Sequence, residues 1–110
     1  MHAFELADLL SATKGERRAY EEFLRVPALS MGLYRLPAGG TDLQAPHTED
    51  EVYYVVSGQA RIRVADEDVP VNTGSIVYVP KHVPHAFHSI EEGLTILVFF
   101  SPAEYSNQPK

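Results

Sequence analysis

The sequence contains no cysteine among its 110 residues. Neither a disulfide framework nor a thiolate metal site is therefore available, and any metal ion must be held by histidine nitrogen and carboxylate oxygen. The chain also lacks a run of about eighteen apolar residues, the length that a membrane-spanning helix requires. Its first ten residues have neither the basic flank nor the long apolar stretch of a secretion signal. We therefore expect a cytoplasmic protein with no membrane partner.

Positive charge is scarce as well, since 9 Lys and Arg stand against 15 Asp and Glu, for a formal net charge of -6. The acidic residues are scattered along the chain, which argues against nucleic acid or an anionic membrane surface as a partner. A small-molecule ligand fits this composition better. The length predicts one domain with a modest core.

The N-terminal segment has a helical pattern. Phe4, Leu6 and Leu9 lie close to one helical face, and Gly15 follows as a stop signal. The pattern predicts a short helix or a loosely docked arm within residues 1–19.

From residue 20 onward the pattern changes to short runs rich in β-branched and aromatic residues, separated by turn residues. Such runs predict an all-β domain over residues 20–103, as a sandwich or barrel. Residues 104–110 read as a frayed C-terminal tail. Turns are predicted at Ser57-Gly58 and at residues 66–68 and 72–74. The eight predicted strands are YEEFLRV, LSMGLYRL, EVYYVVSG, QARIRVA, DVPV, SIVYVP, HAFHSI and LTILVFF.

The two-residue period of a strand places Glu51 on the same face as Tyr53, and His85 on the same face as Phe87. His47, Glu51 and His85 can then converge. Two imidazoles and one carboxylate would leave coordination positions open on a divalent ion. Taken alone, His47 and Glu51 would more often be an ion pair flanking a turn than two metal ligands, and the matching spacing of His85 reverses that preference.

Two spaced motifs resemble those of the cupin family. The first runs from Gly39 to Gly58 with the family's spacing of Gly, five residues, His, one, His, three, Glu, six and Gly, except that Ala45 stands at the first His. The second runs from Gly74 to residue 89 and resembles Gly, five, Pro, one, Gly, two, His, three and Asn. There His82 stands at the second Gly and serine at the final Asn.

The resemblance implies a single-domain cupin of the type-2 kind, an all-β jelly-roll (double-stranded β-helix) barrel. It implies that His47, Glu51 and His85 are ligands of one divalent metal ion, which can be Fe, Mn, Ni or Zn. The place of the missing histidine would be empty or filled by water. Cupin barrels usually form dimers, and we expect a homodimer in which residues 20–36 pack across a two-fold interface.

Such a site predicts a metal-dependent enzyme, a dioxygenase or an isomerase, that acts on a small, chelating, oxygen-rich metabolite. The alternative is a non-catalytic module that binds a small molecule, with a structural or absent metal. No catalytic acid or base is evident near the ligands. Tyr34, Ala45, Tyr53 and Phe87 are candidates to line the pocket, and Ala45 is expected to face the ion on the same strand face as His47.

Three other polar residues near the motifs receive lesser roles. Glu49 is expected to be a solvated loop charge, with a reserve role as a ligand if the turn folds inward. His82 is expected at the rim of the site. His88 points opposite to His85 and is expected at the surface.

Overall fold

The structure is a computed structural model that describes residues 1–12, 19–42 and 44–107. The predicted helix is present in the N-terminal segment, but Gly15, its expected stop signal, lies outside the described residues. The elements in chain order are α1 (Leu6–Ala12), β1 (Tyr20–Val26), β2 (Leu29–Leu36), β3 (Asp50–Val64), β4 (Glu67–Asn72), β5 (Ile76–Val79) and β6 (His85–Ser101). The predicted all-β class is confirmed.

The strands form one antiparallel sheet of six, in the order β1-β2-β6-β3-β4, with β5 also paired to β3. The two longest strands, β3 and β6, lie side by side in the middle and carry most of the pairing. The sheet folds into a jelly-roll barrel, and the interior of that barrel is apolar. The helix α1 lies near β1 and β2, where the rings of Phe4 and Phe23 are 5.1 Å apart and Arg35 donates to the carbonyl oxygen of Leu10.

The prediction of eight strands was wrong in number, because two pairs of predicted strands are continuous. EVYYVVSG and QARIRVA join in β3, and HAFHSI and LTILVFF join in β6. The predicted turn at Ser57-Gly58 is instead an irregular part of β3, where the pairing with β6 shifts register. Gly58 has a φ of 112°, and a Cβ there would lie 2.4 Å from the carbonyl oxygen of Gly93. Glycine therefore lets the strand bend without ending.

The core follows the predicted alternation along the strands. On β3, Tyr53 and Val55 are buried at 1% and 0% exposure, whereas Tyr54 between them is 37% exposed. On β6, Ile96 and Val98 are buried in the same way. One face of each long strand thus fills the barrel, which supports the expected inward direction of Glu51.

Within the described parts of the chain, no helix has the length and apolar character needed to cross a membrane.

Candidate metal centre

Three side chains from different parts of the chain meet at the start of β3. Glu51 is the second residue of β3, and its backbone is paired there with Val79 of β5 and Phe100 of β6. His85 is the first residue of β6, and His47 precedes β3 in a segment without regular structure. Pairing of β3 with its two neighbours therefore holds the carboxylate of Glu51 in place inside the barrel.

The ligand atoms of the three residues all lie within 4.8 Å of one another. His85 Nε2 is 2.8 Å from Glu51 Oε1, and His47 Nδ1 is 3.3 Å from the same oxygen. Glu51 is 2% exposed and His85 is 7% exposed, so water does not solvate the carboxylate freely. The structure thus brings together the three residues that the sequence analysis selected.

The polar atoms at this point fit a bound cation. His47 Nδ1, His85 Nε2 and both carboxylate oxygens of Glu51 are buried, and none makes a hydrogen bond of acceptable geometry with any residue that the structure describes. The other nitrogen of His85, Nδ1, is 2.9 Å from the carbonyl oxygen of Val83 and donates to it in the neutral ring, which leaves the lone pair of Nε2 directed at Glu51. Buried acceptors facing one another without a proton or cation between them are costly. The donor set, two imidazoles and one carboxylate, suits a divalent transition metal.

The electrostatics of the centre indicate the same preference for positive charge. Burial alone would lower the pKa of His47, but the carboxylates of Glu104 and Glu51 outweigh it and raise the pKa to about 9. Burial would likewise lower the pKa of His85, but Glu51 and the Val83 carbonyl raise it. For Glu51, burial acts to raise the pKa, and the two histidines hold it below its usual value. Protons and a divalent ion would therefore compete for the same nitrogen atoms.

The expectation for Ala45 was wrong. Ala45 is exposed and lies outside any strand, so it shares no strand face with His47. The physical reason is that β3 begins only at Asp50, and the two-residue period does not hold in the irregular segment before it. The neighbouring Gln44 lines the interior instead, where its Nε2 donates to the hydroxyl of Tyr53 and to Asp42.

A cavity of about 130 Å³ adjoins the centre. Tyr34 and Tyr53, both expected to line a pocket, are part of its wall, whereas Phe87 packs against the ring of Tyr53 in the core and is not part of that wall. The hydroxyl of Tyr20 is buried and makes no hydrogen bond within the described parts of the chain. The cavity wall consists of Tyr20, Tyr34, Gln44, His47, Tyr53, Val98, Phe100 and Glu104.

Glu49 does not have the role expected of it. It is 1% exposed rather than solvated, and it is not one of the three residues whose possible ligand atoms meet. Its carboxylate accepts hydrogen bonds from the backbone amides of Tyr105 and Asn107 and from the hydroxyl of Thr48. Glu49 therefore anchors the C-terminal segment.

His82 and His88 lie away from the three candidate ligands. His82 is exposed with a φ of 65°, the left-handed conformation that explains why the cupin motif has a glycine at this place. Its backbone amide donates to the carbonyl oxygen of His47 and so joins the two loops beside the centre. His88 pairs with Asp68 at 2.8 Å on the outside of the sheet.

Sequence reasoning missed one residue of the site, Glu104. Its Oε2 is 3.1 Å from His47 Nε2, and the residue is 8% exposed. The residue lies in the segment expected to be a frayed tail, fifteen positions beyond the second motif (104 − 89). No local pattern could have joined it to His47, because the contact spans more than half of the chain.

The chain belongs to the cupin family, since residues 32–100 match the cupin domain family Cupin_2. It is 52% identical to the uncharacterized protein SCO3923 of Streptomyces coelicolor over 104 residues, which cover 94% of this chain and 99% of that protein. It is 32% identical to the oxalate decarboxylase OxdC of Bacillus subtilis over 65 residues, covering 54% of this chain and 17% of that enzyme. Its fold is similar to that of the crystal structure of TT1209 from Thermus thermophilus, with a TM-score of 0.76, 23% identity and coverage of 94% and 99% of the two chains.

Proposed function

We propose that this cupin binds one divalent metal ion through His47, Glu51 and His85 and is a metal-dependent enzyme, a dioxygenase or an isomerase. The observation that carries the proposal is the group of buried nitrogen and oxygen atoms that face one another, 2.8 and 3.3 Å apart, without a hydrogen bond of acceptable geometry among the described residues. A proton or a divalent cation resolves that arrangement, and the ligand set leaves coordination positions for other groups.

The adjoining cavity supports a small, oxygen-rich ligand. Its volume of about 130 Å³ is close to that of an engineered cavity of roughly 150 Å³ that holds benzene, so a ligand of about six heavy atoms fits. A divalent ion bound beside it would polarise a ligand oxygen and accept two oxygens of a chelating compound.

Two tyrosines can bind oxygen atoms of such a ligand. Burial and the charges of Glu51 and Asp42 raise the pKa of Tyr53 well above its usual value, so the phenol keeps its proton. Its oxygen accepts from Gln44, and its own O–H remains a donor. The hydroxyl of Tyr20 is buried in the same wall and has no hydrogen-bond partner among the described residues. The ring of Tyr20 has room there because Gly32 has no side chain, since a Cβ at Gly32 would lie 2.3 Å from that ring.

The direct test is metal analysis of the full chain purified without a chelator or a nickel column. One equivalent of a divalent metal is expected, and His85→Ala should lose most of it while keeping the β-sheet signal in circular dichroism. His88→Ala, which changes a histidine on the outside of the sheet, is the matched control and should retain the metal. A metal-free wild-type protein that also fails to take up Fe(II), Mn(II), Ni(II) or Zn(II) would refute the proposal.

Turnover of a test compound distinguishes a metal-dependent enzyme from a non-catalytic binding module. Oxalate is the first compound to test, because one relative is named an oxalate decarboxylase. Small diols, hydroxy-ketones and diketones follow, with oxygen consumption and product formation monitored on the metal-loaded protein. A compound that binds without being consumed would favour the non-catalytic module over the enzyme.

We also propose that the protein is a homodimer whose subunits pack through the outer face of β6, β3 and β5. Two register rows cross these strands, and every residue in both rows is apolar or aromatic. One row is Leu97, Tyr54 and Ile76, and the other is Phe99, Val52 and Tyr78. Ile76 and Tyr78 are 69% and 57% exposed. A groove of about 400 Å³ with mainly apolar walls opens on the same face.

A second copy of the chain is the occupant that this face favours. A two-fold axis brings the same apolar rows of two subunits together, so no other partner has to supply complementarity. A stable interface buries about 800 Å² per subunit, and the exposed side chains of Ile76, Tyr78 and Tyr54 would contribute to it. Met31 of β2 pairs with Phe99 and extends the face into residues 20–36, the segment expected at the interface.

Light scattering at tens of micromolar should give the dimer mass for the wild type and the monomer mass for Ile76→Lys. A monomeric wild type would refute this arrangement.

A further inference from the structure

The C-terminal segment of residues 102–107 follows β6 and passes beside the metal centre. Its backbone is held at Glu104 from two sides, since the amide of Glu104 donates to Ser30 Oγ at 2.9 Å and its carbonyl oxygen accepts from Arg25 Nη2 at 2.7 Å. Glu49 accepts from the amides of Tyr105 and Asn107 just beyond. The side chain of Glu104 is therefore presented to the interior by a fixed backbone.

The carboxylate of Glu104 contacts the nitrogen of His47 that faces away from Glu51. Glu104 Oε2 is 3.1 Å from His47 Nε2, while His47 Nδ1 is 3.3 Å from Glu51 Oε1 and has no hydrogen bond of acceptable geometry in the part of the chain that the structure describes. A neutral imidazole carries a proton on only one nitrogen. If that proton is on Nε2 and donated to Glu104, the lone pair of Nδ1 is directed at Glu51.

His85 has the opposite arrangement. Its Nδ1 is 2.9 Å from the carbonyl oxygen of Val83, and its Nε2 faces Glu51. Each ring therefore has one nitrogen held by a protein acceptor and the other directed into the centre. A hydrogen-bonded acceptor on the outer nitrogen is the usual means by which proteins orient a metal-binding histidine.

We propose that Glu104 is a positioning residue of the metal centre, which makes His47 bind the ion through Nδ1 while His85 binds it through Nε2. The inference rests on the proposed function, because it presumes that an ion binds. Glu104 lies outside both spaced motifs, so the C-terminal segment supplies a functional side chain that the motifs do not contain. Glu49 contributes indirectly, because it holds that segment in place.

The experiment uses the full chain loaded with Zn(II), with its histidines labelled with nitrogen-15. Long-range proton–nitrogen correlation spectra distinguish a metal-bound Nδ1 from a metal-bound Nε2, and the expected wild-type pattern is Nδ1 for His47 and Nε2 for His85. Zn(II) affinity is measured in parallel by competition with a chromogenic chelator. Loss of an outer hydrogen-bond partner weakens metal binding by about 10- to 100-fold, and this loss is expected for Glu104→Ala.

Two further variants make the result specific. Glu104→Gln keeps an oxygen that can accept from His47 Nε2, so it should preserve the Nδ1 pattern and recover most of the lost affinity. Glu92→Ala removes an exposed carboxylate on β6 and should bind Zn(II) as the wild type does. If Glu104→Ala does not fold, the wild-type spectrum still tests the proposal, because coordination of His47 through Nε2 would overturn it.

The outcomes separate this inference from the function on which it rests. A wild type that binds no divalent ion refutes both. Binding of Zn(II) by the wild type, together with loss of that binding in Glu51→Ala, supports the metal centre. In that case unchanged affinity in Glu104→Ala, or coordination of His47 through Nε2, overturns the positioning role alone.

Discussion

Replacement of Glu49 by alanine should release the C-terminal segment and destabilise the protein. The carboxylate of Glu49 is 1% exposed and accepts from two backbone amides, at 2.7 Å from Tyr105 and 2.9 Å from Asn107. It also accepts from the hydroxyl of Thr48. In Glu49→Ala both amides lose their acceptor, and the methyl group leaves a polar space that water must fill.

The magnitude follows from the two amide contacts. A hydrogen bond to a charged group contributes about 1.5–3 kcal/mol, so two of them set an upper value of roughly 3–6 kcal/mol. When the segment undocks, its amides form hydrogen bonds with water, and this recovers part of the lost free energy. We therefore expect the free energy of unfolding to fall by about 2–4 kcal/mol, a large share of the roughly 5–15 kcal/mol that a domain has. The melting temperature should fall by about 10–20 °C.

Urea unfolding measures the loss of stability, and hydrogen exchange of the Tyr105 and Asn107 amides measures the release of the segment. Both amides should be protected in the wild type and exchange freely in Glu49→Ala. The exposed Glu92→Ala serves as the control and should stay within about 0.5 kcal/mol of the wild type. Unprotected amides in the wild type, or equal stability of Glu49→Ala and wild type, would refute the reasoning.

The pH dependence gives an independent check. Burial alone would raise the pKa of Glu49, but the hydrogen bonds from Thr48 and from the amides of Asn107 and Tyr105 hold it below the ordinary value of 4.5. A carboxyl with a lowered pKa stabilises the fold above its unfolded pKa and loses that contribution as the pH falls through the folded pKa. The wild type should therefore lose stability below about pH 4.5 more steeply than Glu49→Ala does.

Two further predictions concern the metal centre. Because the pKa of His47 is raised to about 9 and that of His85 is also raised, binding of Zn(II) at pH 7 should release at least one proton, and the affinity should increase up to about pH 9. Titration calorimetry in two buffers of different ionisation enthalpy measures the proton release, and equal heats would contradict it. Ala45→His should leave Zn(II) affinity within about twofold of the wild type, because residue 45 is exposed outside any strand. A marked gain in chelator competition would show that position 45 does face the ion.

The strand period and the motif spacing were sufficient to select three candidate ligands whose side chains the structure brings together. Glu51 points inward with Tyr53 and Val55 because successive residues of a strand face opposite sides, and β3 is regular there. The same rule predicts that the side chain of His85 points inward at the start of β6. The cupin resemblance added the connection between the two strands, and the family match over residues 32–100 confirms that resemblance.

The local sequence pattern gave wrong predictions where the regular secondary structure ended or became irregular. Ala45 was assigned to a strand face, but residues 44–49 are irregular and the period has no meaning there. The Ser57-Gly58 pair looked like a turn, but pairing to β6 continues through it. A turn and a bulge both need glycine, so composition alone does not distinguish them.

The sequence by itself determined the fold class and the inward face of each long strand, because these depend on residues a few positions apart. The spacing of two motifs, through their resemblance to the cupin family, joined His85 to His47 and Glu51 as candidate ligands. Only the tertiary structure decided what Glu49 and Glu104 do. Glu49 meets the amide of Asn107 across 58 positions, and Glu104 meets Ser30 across 74. Contacts between such distant residues arise from the packing of the whole barrel, and no periodicity within a segment encodes them.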